Sequence, residues 1–91
     1  MSATLIARQN VSEYKAWGQV YNDADTIRAR HGCTSESVLR SPKDHNLVFI
    51  THQFPTVEQA EAFTADPDLH SAMARAGVVG DTGIELFEDI T

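Results

Sequence analysis

Apolar residues recur along this chain with two different periods, which separate predicted strands from predicted helices. Ser2–Arg8 is a short apolar run that predicts a first strand, and Cys33–Arg40 alternates like a second one. Turn residues fill Ser41–Asn46, and Leu47–Phe54 follows as an apolar third strand, so the second and third strands should form a hairpin. Ile84–Ile90 predicts the last strand.

The first predicted helix follows Asn10, a capping residue with Glu13 three positions later, as in a capping box. Gly32 is placed to end it. Gly18 lies in the helix interior, where glycine costs about 1 kcal/mol relative to alanine, which predicts a close approach by a strand or a ligand. The stripe of this helix recurs at spacings of three and four: Tyr14, Trp17, Tyr21, Ala24 and Arg28.

The second predicted helix begins after Thr56 and restarts at Pro67, with Asp66 as the cap of the restarted part. The segment Gly77–Gly83, which reads GVVGDTG, predicts a flexible loop that could gate a pocket. It lacks the pattern of a phosphate-binding loop. The apolar face of this helix comprises Val57, Ala60, Phe63, Leu69, Met73 and Ala76.

The resulting order, βαββαβ, predicts an α+β fold of the ferredoxin-like kind, with a four-stranded antiparallel sheet and both helices on one of its faces. A half-solvated antiparallel strand should alternate between apolar and polar residues, but Leu47–Ile50 is apolar throughout. Something must therefore cover the second sheet face. We expect a homodimer in which the open faces of two sheets stack into a barrel.

The overall composition limits the function classes that need to be considered. Ninety-one residues predict one domain, 1–91. A net charge of −6 with scattered basic residues weighs against nucleic-acid binding, and no apolar run reaches the roughly 18 residues of a membrane span. The single cysteine, Cys33, and the absence of a recognisable signal peptide fit a cytoplasmic protein.

Three segments carry a resemblance to a known group: YKAW in the first helix, HQFPTVEQAEAF after the third strand, and DLHSAMARAGVVG before the last strand. With them the chain resembles the dimeric α+β barrel superfamily, and within it the antibiotic biosynthesis monooxygenases and related cyclase-like proteins. The resemblance implies a homodimer that oxidises aromatic polyketides or quinols without metal, flavin or other cofactor. The deprotonated substrate supplies its own electrons, in a pocket between the sheet and the helices.

The resemblance also implies candidate site residues. His52 and His70 are the candidates for assisting proton removal, because histidine is the side chain most easily tuned near neutral pH. The predicted walls of a pocket for a small hydrophobic or aromatic ligand are Tyr14, Trp17, Tyr21, Phe54, Phe63 and Met73.

Simpler interpretations compete with these roles. The aromatic stripe of the first helix could be plain hydrophobic core, and His70 could be solvated. His52 could lie at the dimer seam or at a strand end, where replacing it by alanine would weaken dimerisation or a neighbouring hydrogen bond before it affected any chemistry. We expect no metal site, because the four histidines fall in four segments without ligand spacing.

Two alternative functions stay open at this point. One is a non-catalytic homodimer that binds a small molecule or serves in a stress response. The other is haem binding with His70 as the axial ligand. Haem-degrading relatives carry an asparagine on the first strand and a tryptophan on the second helix, and Ser2–Arg8 and the second helix lack these residues here.

Overall fold

The computed structural model describes residues 1–80 and 82–91, and its elements follow the predicted order, with each predicted helix broken into two. The elements are β1 (Ala3–Val11), α1 (Tyr14–Asp23), α2 (Asp25–Arg30), β2 (Ser35–Arg40), β3 (Leu47–Phe54), α3 (Val57–Ala65), α4 (Pro67–Arg75) and β4 (Val78–Glu88).

The four strands form one sheet in the order β2-β3-β1-β4, and every neighbouring pair is antiparallel. This order, with helices connecting β1 to β2 and β3 to β4, confirms the ferredoxin-like α+β fold. In the sheet, His52 of β3 lies between Leu5 of β1 and Glu36 of β2.

The side chains of β3 alternate between the two sheet faces, as the strand period of two requires. Val48, Ile50, His52 and Phe54 are buried, whereas Phe49 is exposed on the opposite face. The buried face meets the helices, since Phe54 belongs to one apolar cluster with residues of α2, α3 and α4. The apolar run therefore does serve both faces of the sheet, as predicted.

The second face of the sheet carries large apolar side chains that stay partly exposed among the described residues. Leu39 pairs directly with Phe49 across β2 and β3, and they are 58% and 37% exposed. Val79 and Phe87 of β4 lie on the same face and are 46% and 50% exposed. We call this surface, defined by Leu39, Phe49, Val79 and Phe87, the open face.

The boundary of the first helix differs from the prediction. Asn10 lies in β1, where it pairs with Leu47 and Val79, so it does not cap a helix. Glu13 is the cap instead, and its side chain accepts a hydrogen bond from the backbone N–H of Ala16. No described strand approaches Gly18 closely, because a Cβ added there would meet no atom within 4 Å. The alternative, a close approach by a ligand, stays a prediction.

The predicted loop at Gly77–Gly83 is wrong as well, although position 81 within it lies outside the described residues. β4 begins at Val78, and Val78 and Val79 pair with the end of β1 beyond a bulge in the ladder. β-Branched residues suit a pleated sheet, and the extended β1 offers them backbone partners. The segment is therefore a strand and not a gating loop.

The predicted caps of the second helical segment are confirmed. Thr56 accepts a hydrogen bond from the N–H of Gln59, and Asp66 accepts one from the N–H of Asp68. Asp66 also accepts a hydrogen bond from His31, 2.7 Å away, which with the backbone N–H of Asp68 holds its pKa below the ordinary value. This contact ties the end of α2 to the start of α4. No helix in the described ranges is long and apolar enough to cross a membrane.

Candidate functional site

A cavity of about 70 Å³ lies between the helices and the helix-facing side of the sheet. An apolar cavity of roughly 150 Å³ holds one benzene molecule, so this one is smaller than an aromatic ligand needs. Residues from both layers line it, among them Leu5, Gln9, Trp17, Tyr21, Arg28, Ile50, His52, Phe63 and Met73.

His52 is the histidine that borders this cavity. Its side chain is 7% exposed, and the ring meets Phe63 edge-on at a centroid distance of 5.4 Å. Burial, with a smaller contribution from the charge of Arg28, lowers its pKa to about 4, while the charge of Glu36 opposes the shift. The imidazole is therefore neutral at neutral pH.

A chain of polar contacts leads away from His52. Its Nε2 lies 2.9 Å from the hydroxyl oxygen of Tyr21, which lies 3.2 Å from Oε2 of Glu36. The same carboxylate oxygen accepts from Nε of Arg28 at 2.7 Å, and the guanidinium of Arg28 lies 4.0 Å from the centre of the Tyr21 ring. Burial is the main cause that raises the pKa of Tyr21, so its hydroxyl stays protonated.

The second nitrogen of His52, Nδ1, forms no hydrogen bond with any residue that the structure describes. No fully buried side-chain nitrogen or oxygen in these residues lacks a partner. Because Nδ1 has no such partner, it is not fully buried. A water molecule or a ligand can therefore reach it.

The predicted pocket residues separate into two groups. Trp17, Tyr21, Phe63 and Met73 line the cavity together with His52. Phe54 is fully buried beside Phe63, with ring centres 5.3 Å apart, but it does not border the cavity.

Tyr14 and His70 lie apart from the cavity lining. Tyr14 stacks on Trp17 at 5.9 Å and lies under the guanidinium of Arg40 at 4.7 Å. His70 is exposed on α4, with its Nε2 2.9 Å from the carbonyl oxygen of Thr64. Neither position brings its polar group to the cavity.

The expected place of His52 at the dimer seam or at a strand end is wrong. β3 continues to Phe54, and the register puts His52 on the helix-facing side, opposite to the open face. The side chain contacts Tyr21 and Phe63 of the helical layer. Its replacement is therefore no longer expected to act first on dimerisation.

The polar residues of the cavity region that were not predicted as site residues include Arg28, Glu36 and Gln9. Arg28 could have been noticed, because it falls on the apolar stripe of the first helix and is only 6% exposed. Glu36 becomes relevant only through the pairing of β2 with β3, which the sequence does not specify residue by residue. Gln9 is buried because β1 extends past the predicted end of the strand.

The residues that the structure describes include no group of three histidine, cysteine or acidic side chains placed to bind a metal ion.

The lowered pKa of His52 predicts a pH dependence of stability. The unfolded chain binds a proton at His52 near the ordinary pKa of 6.5, whereas the folded chain does so only near 4. The contribution of His52 to the free energy of unfolding should therefore be fully present above pH 6.5. It should decrease by up to about 3 kcal/mol as the pH drops towards 4. An NMR titration should place the His52 midpoint near 4. A midpoint at its ordinary value would show that the ring is solvated.

Comparisons with known structures identify proteins that share this fold. SnoaB, a cofactor-independent oxygenase from Streptomyces nogalater, superimposes with a TM-score of 0.82 at 15% identity, over 99% of this chain and 94% of SnoaB. A candidate antibiotic biosynthesis monooxygenase from Bordetella bronchiseptica gives 0.81 at 14% identity, over 99% and 98%. Another from Caulobacter crescentus gives 0.81 at 16% identity, over 99% and 91%.

No sequence model of a known protein family matches the chain, and no curated protein sequence does. At these identities the structural likeness establishes the fold alone, and one fold can host many different activities. A function has to be argued from the site.

Proposed function

We propose that the chain is a cofactor-independent monooxygenase that acts on a small aromatic substrate with an acidic hydroxyl or methylene group. The observation that carries this proposal is a neutral, buried histidine on the wall of an apolar cavity, with one ring nitrogen that forms no hydrogen bond to the described residues. The shared fold with a cofactor-independent oxygenase supports it.

In the proposed reaction, Nδ1 of His52 takes a proton from the substrate, and the resulting carbanion or phenolate transfers electrons to O2. For an activated aromatic CH2 group, one oxygen atom becomes the carbonyl oxygen and the other leaves as water with the two hydrogens. The substrate carbon supplies all four electrons and O2 accepts them. The chain's own residues are required only to bind, orient and deprotonate the substrate.

A pKa near 4 makes His52 a weak base in the empty cavity, but the substrate anion changes this. A negative charge next to the imidazole favours its protonated form and raises its pKa as the proton is transferred. The low value in the free protein keeps the ring unprotonated until substrate arrives.

The cavity has to enlarge to hold an aromatic ring. Met73 lines it from α4 and is only partly buried. Methionine is flexible and fills irregular space, so Met73 is the wall residue that we expect to move when substrate enters.

Oxygen uptake with anthrones and hydroquinones tests this function. Purified protein treated with a chelator and containing no added cofactor should consume O2 with at least one of these substrates and form the oxidised product. Saturable binding without O2 consumption would instead favour the second candidate, a non-catalytic ligand-binding protein, with which the weakly basic His52 also agrees.

The position of His70 gives haem binding no comparable support, since its ring nitrogen lies at the Thr64 carbonyl outside the cavity. A Soret shift on adding haemin that is lost in His70→Ala would reverse this judgement.

We also propose that two chains associate through the open face, in the cytoplasm that the single cysteine fits. Exposed apolar side chains that share one sheet face favour burial against a second copy.

Phe49→Asp should turn the proposed dimer into a monomer, because it places a charge within the buried interface. Light scattering after size-exclusion chromatography measures the mass. Ile90→Asp is the matched control, since Ile90 is 83% exposed beyond the end of β4 and should leave the mass unchanged. A monomeric wild-type protein would refute the proposed interface.

A further inference from the structure

Glu36 lies behind the proposed base, separated from it by one tyrosine hydroxyl. We propose that Glu36, fixed by Arg28 and acting through Tyr21, is a positioning residue that keeps the hydrogen of His52 on Nε2 and leaves Nδ1 free to act as the base. We further propose that the same contacts carry the abstracted proton to the surface. The tautomer does not rest on the proposed function, whereas the role of Nδ1 as the base and the proton path do.

The donors and acceptors of Glu36, Tyr21 and His52 determine which group donates to which along these contacts. An ionised carboxylate only accepts, and a tyrosine hydroxyl has a single hydrogen to donate. If that hydrogen goes to Oε2 of Glu36, the contact of 2.9 Å between Tyr21 and His52 is a hydrogen bond only when Nε2 carries a hydrogen. Both contacts are then satisfied, and the lone pair of the imidazole lies on Nδ1.

Arg28 stabilises the arrangement in which Tyr21 donates to Glu36. Its side chain is 7% exposed, and its Nε donates to the same oxygen of Glu36 that accepts from Tyr21. A buried guanidinium requires a charged partner, and the carboxylate of Glu36 supplies it through this ion pair. The guanidinium also covers the ring of Tyr21 at 4.0 Å and so limits the positions of the hydroxyl.

The chain of contacts also has a solvent end. The side chain of Glu36 is 46% exposed, whereas His52 is almost completely buried. When Nδ1 gains a proton from substrate, the hydrogen on Nε2 can pass to the Tyr21 oxygen while the hydroxyl hydrogen passes to Glu36. His52 and Tyr21 end neutral, and Glu36 releases the proton to water. His52 returns to its first tautomer when Nδ1 gives its proton to the reduced oxygen that leaves as water. Glu36 then takes a proton back from solvent, and the reverse shift through the hydroxyl restores the hydrogen on Nε2.

Nitrogen-15 NMR of the imidazole tests the tautomer without any substrate. Wild-type protein at pH 7 should show His52 with hydrogen on Nε2. In Glu36→Leu the hydroxyl of Tyr21 loses its acceptor and turns to His52, so the hydrogen should move to Nδ1. Glu36→Gln keeps an accepting oxygen and should keep the wild-type tautomer. Glu61→Leu, an exposed glutamate on α3, is the control and should change nothing.

Hydrogen on Nδ1 in the wild-type protein would overturn the proposal, and so would an unchanged tautomer in a folded Glu36→Leu variant. If Glu36→Leu does not fold, because Arg28 is left buried without a partner, the wild-type spectrum decides the question by itself. None of these outcomes depends on whether the protein consumes oxygen.

The proton path has a kinetic test once a substrate is found. Glu36→Gln should lower kcat by about tenfold or more with little change in KM, because the amide oxygen keeps the tautomer of His52 but cannot take up the proton. Tyr21→Phe should have a similar effect, and the double variant should be no slower than the worse single variant, because both changes break one path. Additive losses would contradict a shared path.

Discussion

Replacing His52 by glutamine is expected to lower kcat for oxygen uptake by about 10²–10⁴-fold, the usual contribution of a general base. Glutamine resembles histidine in polarity and reach but cannot take a proton from the substrate. KM should change little, since the apolar walls of the cavity remain. Steady-state oxygen-electrode kinetics with the best substrate of the panel measures both constants.

His70→Gln is the matched control for this experiment. His70 is exposed on α4, and its ring nitrogen is engaged by the Thr64 carbonyl outside the cavity. We expect wild-type kinetics from this variant. Full activity in His52→Gln together with a large loss in His70→Gln would place the base on α4 and refute the site as described.

Replacing Phe54 by alanine is expected to destabilise the fold by about 3–5 kcal/mol, the range for removing a buried phenylalanine side chain. Phe54 is fully buried, packs against Phe63 at 5.3 Å and meets the edge of His52 at 6.4 Å. A domain of this size has a free energy of unfolding of only about 5–15 kcal/mol, so this single change removes a large part of it. Urea unfolding monitored by circular dichroism measures the loss.

Ile90→Ala provides the comparison for Phe54→Ala. Ile90 is also a large apolar residue, but it is 83% exposed, and its truncation should change the free energy of unfolding by less than about 0.5 kcal/mol. Equal effects of the two substitutions would mean that Phe54 does not hold the helical layer to the sheet.

The fold could be predicted from the sequence because its signals are local and periodic. The helical stripe through Trp17 and Tyr21, the caps at Thr56 and Asp66, and the apolar run of β3 each depend on residues close together in the chain. These signals specify the order of elements, and the order largely restricts the topology.

The wrong predictions concern segments whose structure is determined by pairing with strands that are distant in the sequence. Asn10 is a good capping residue in isolation, but Leu47 and Val79 offer it strand partners. The glycine-rich segment that begins at Gly77 looks like a loop until the extended β1 is placed beside it. Local preference is a weak guide when a neighbouring strand can supply backbone hydrogen bonds.

The apolar residues that line the cavity could be predicted from the sequence, but the hydrogen-bond partners of His52 could not. Trp17 and Phe63 could be named from helix periodicity, and both line the cavity. The partner of His52 could not be named, because its face and its distance to Tyr21 depend on how α1 packs across β3. Glu36 comes near only through strand register.

The account's central claim is that the cavity beside His52 is the substrate site. The most direct measurement is a crystal structure of the protein grown without oxygen and soaked with a phenol that the protein binds. We predict that the phenol lies between the helices and the sheet, with its hydroxyl within hydrogen-bond distance of His52 Nδ1 and with Met73 displaced. A phenol bound on the open face, or anywhere outside the cavity, with His52 untouched, would contradict the account.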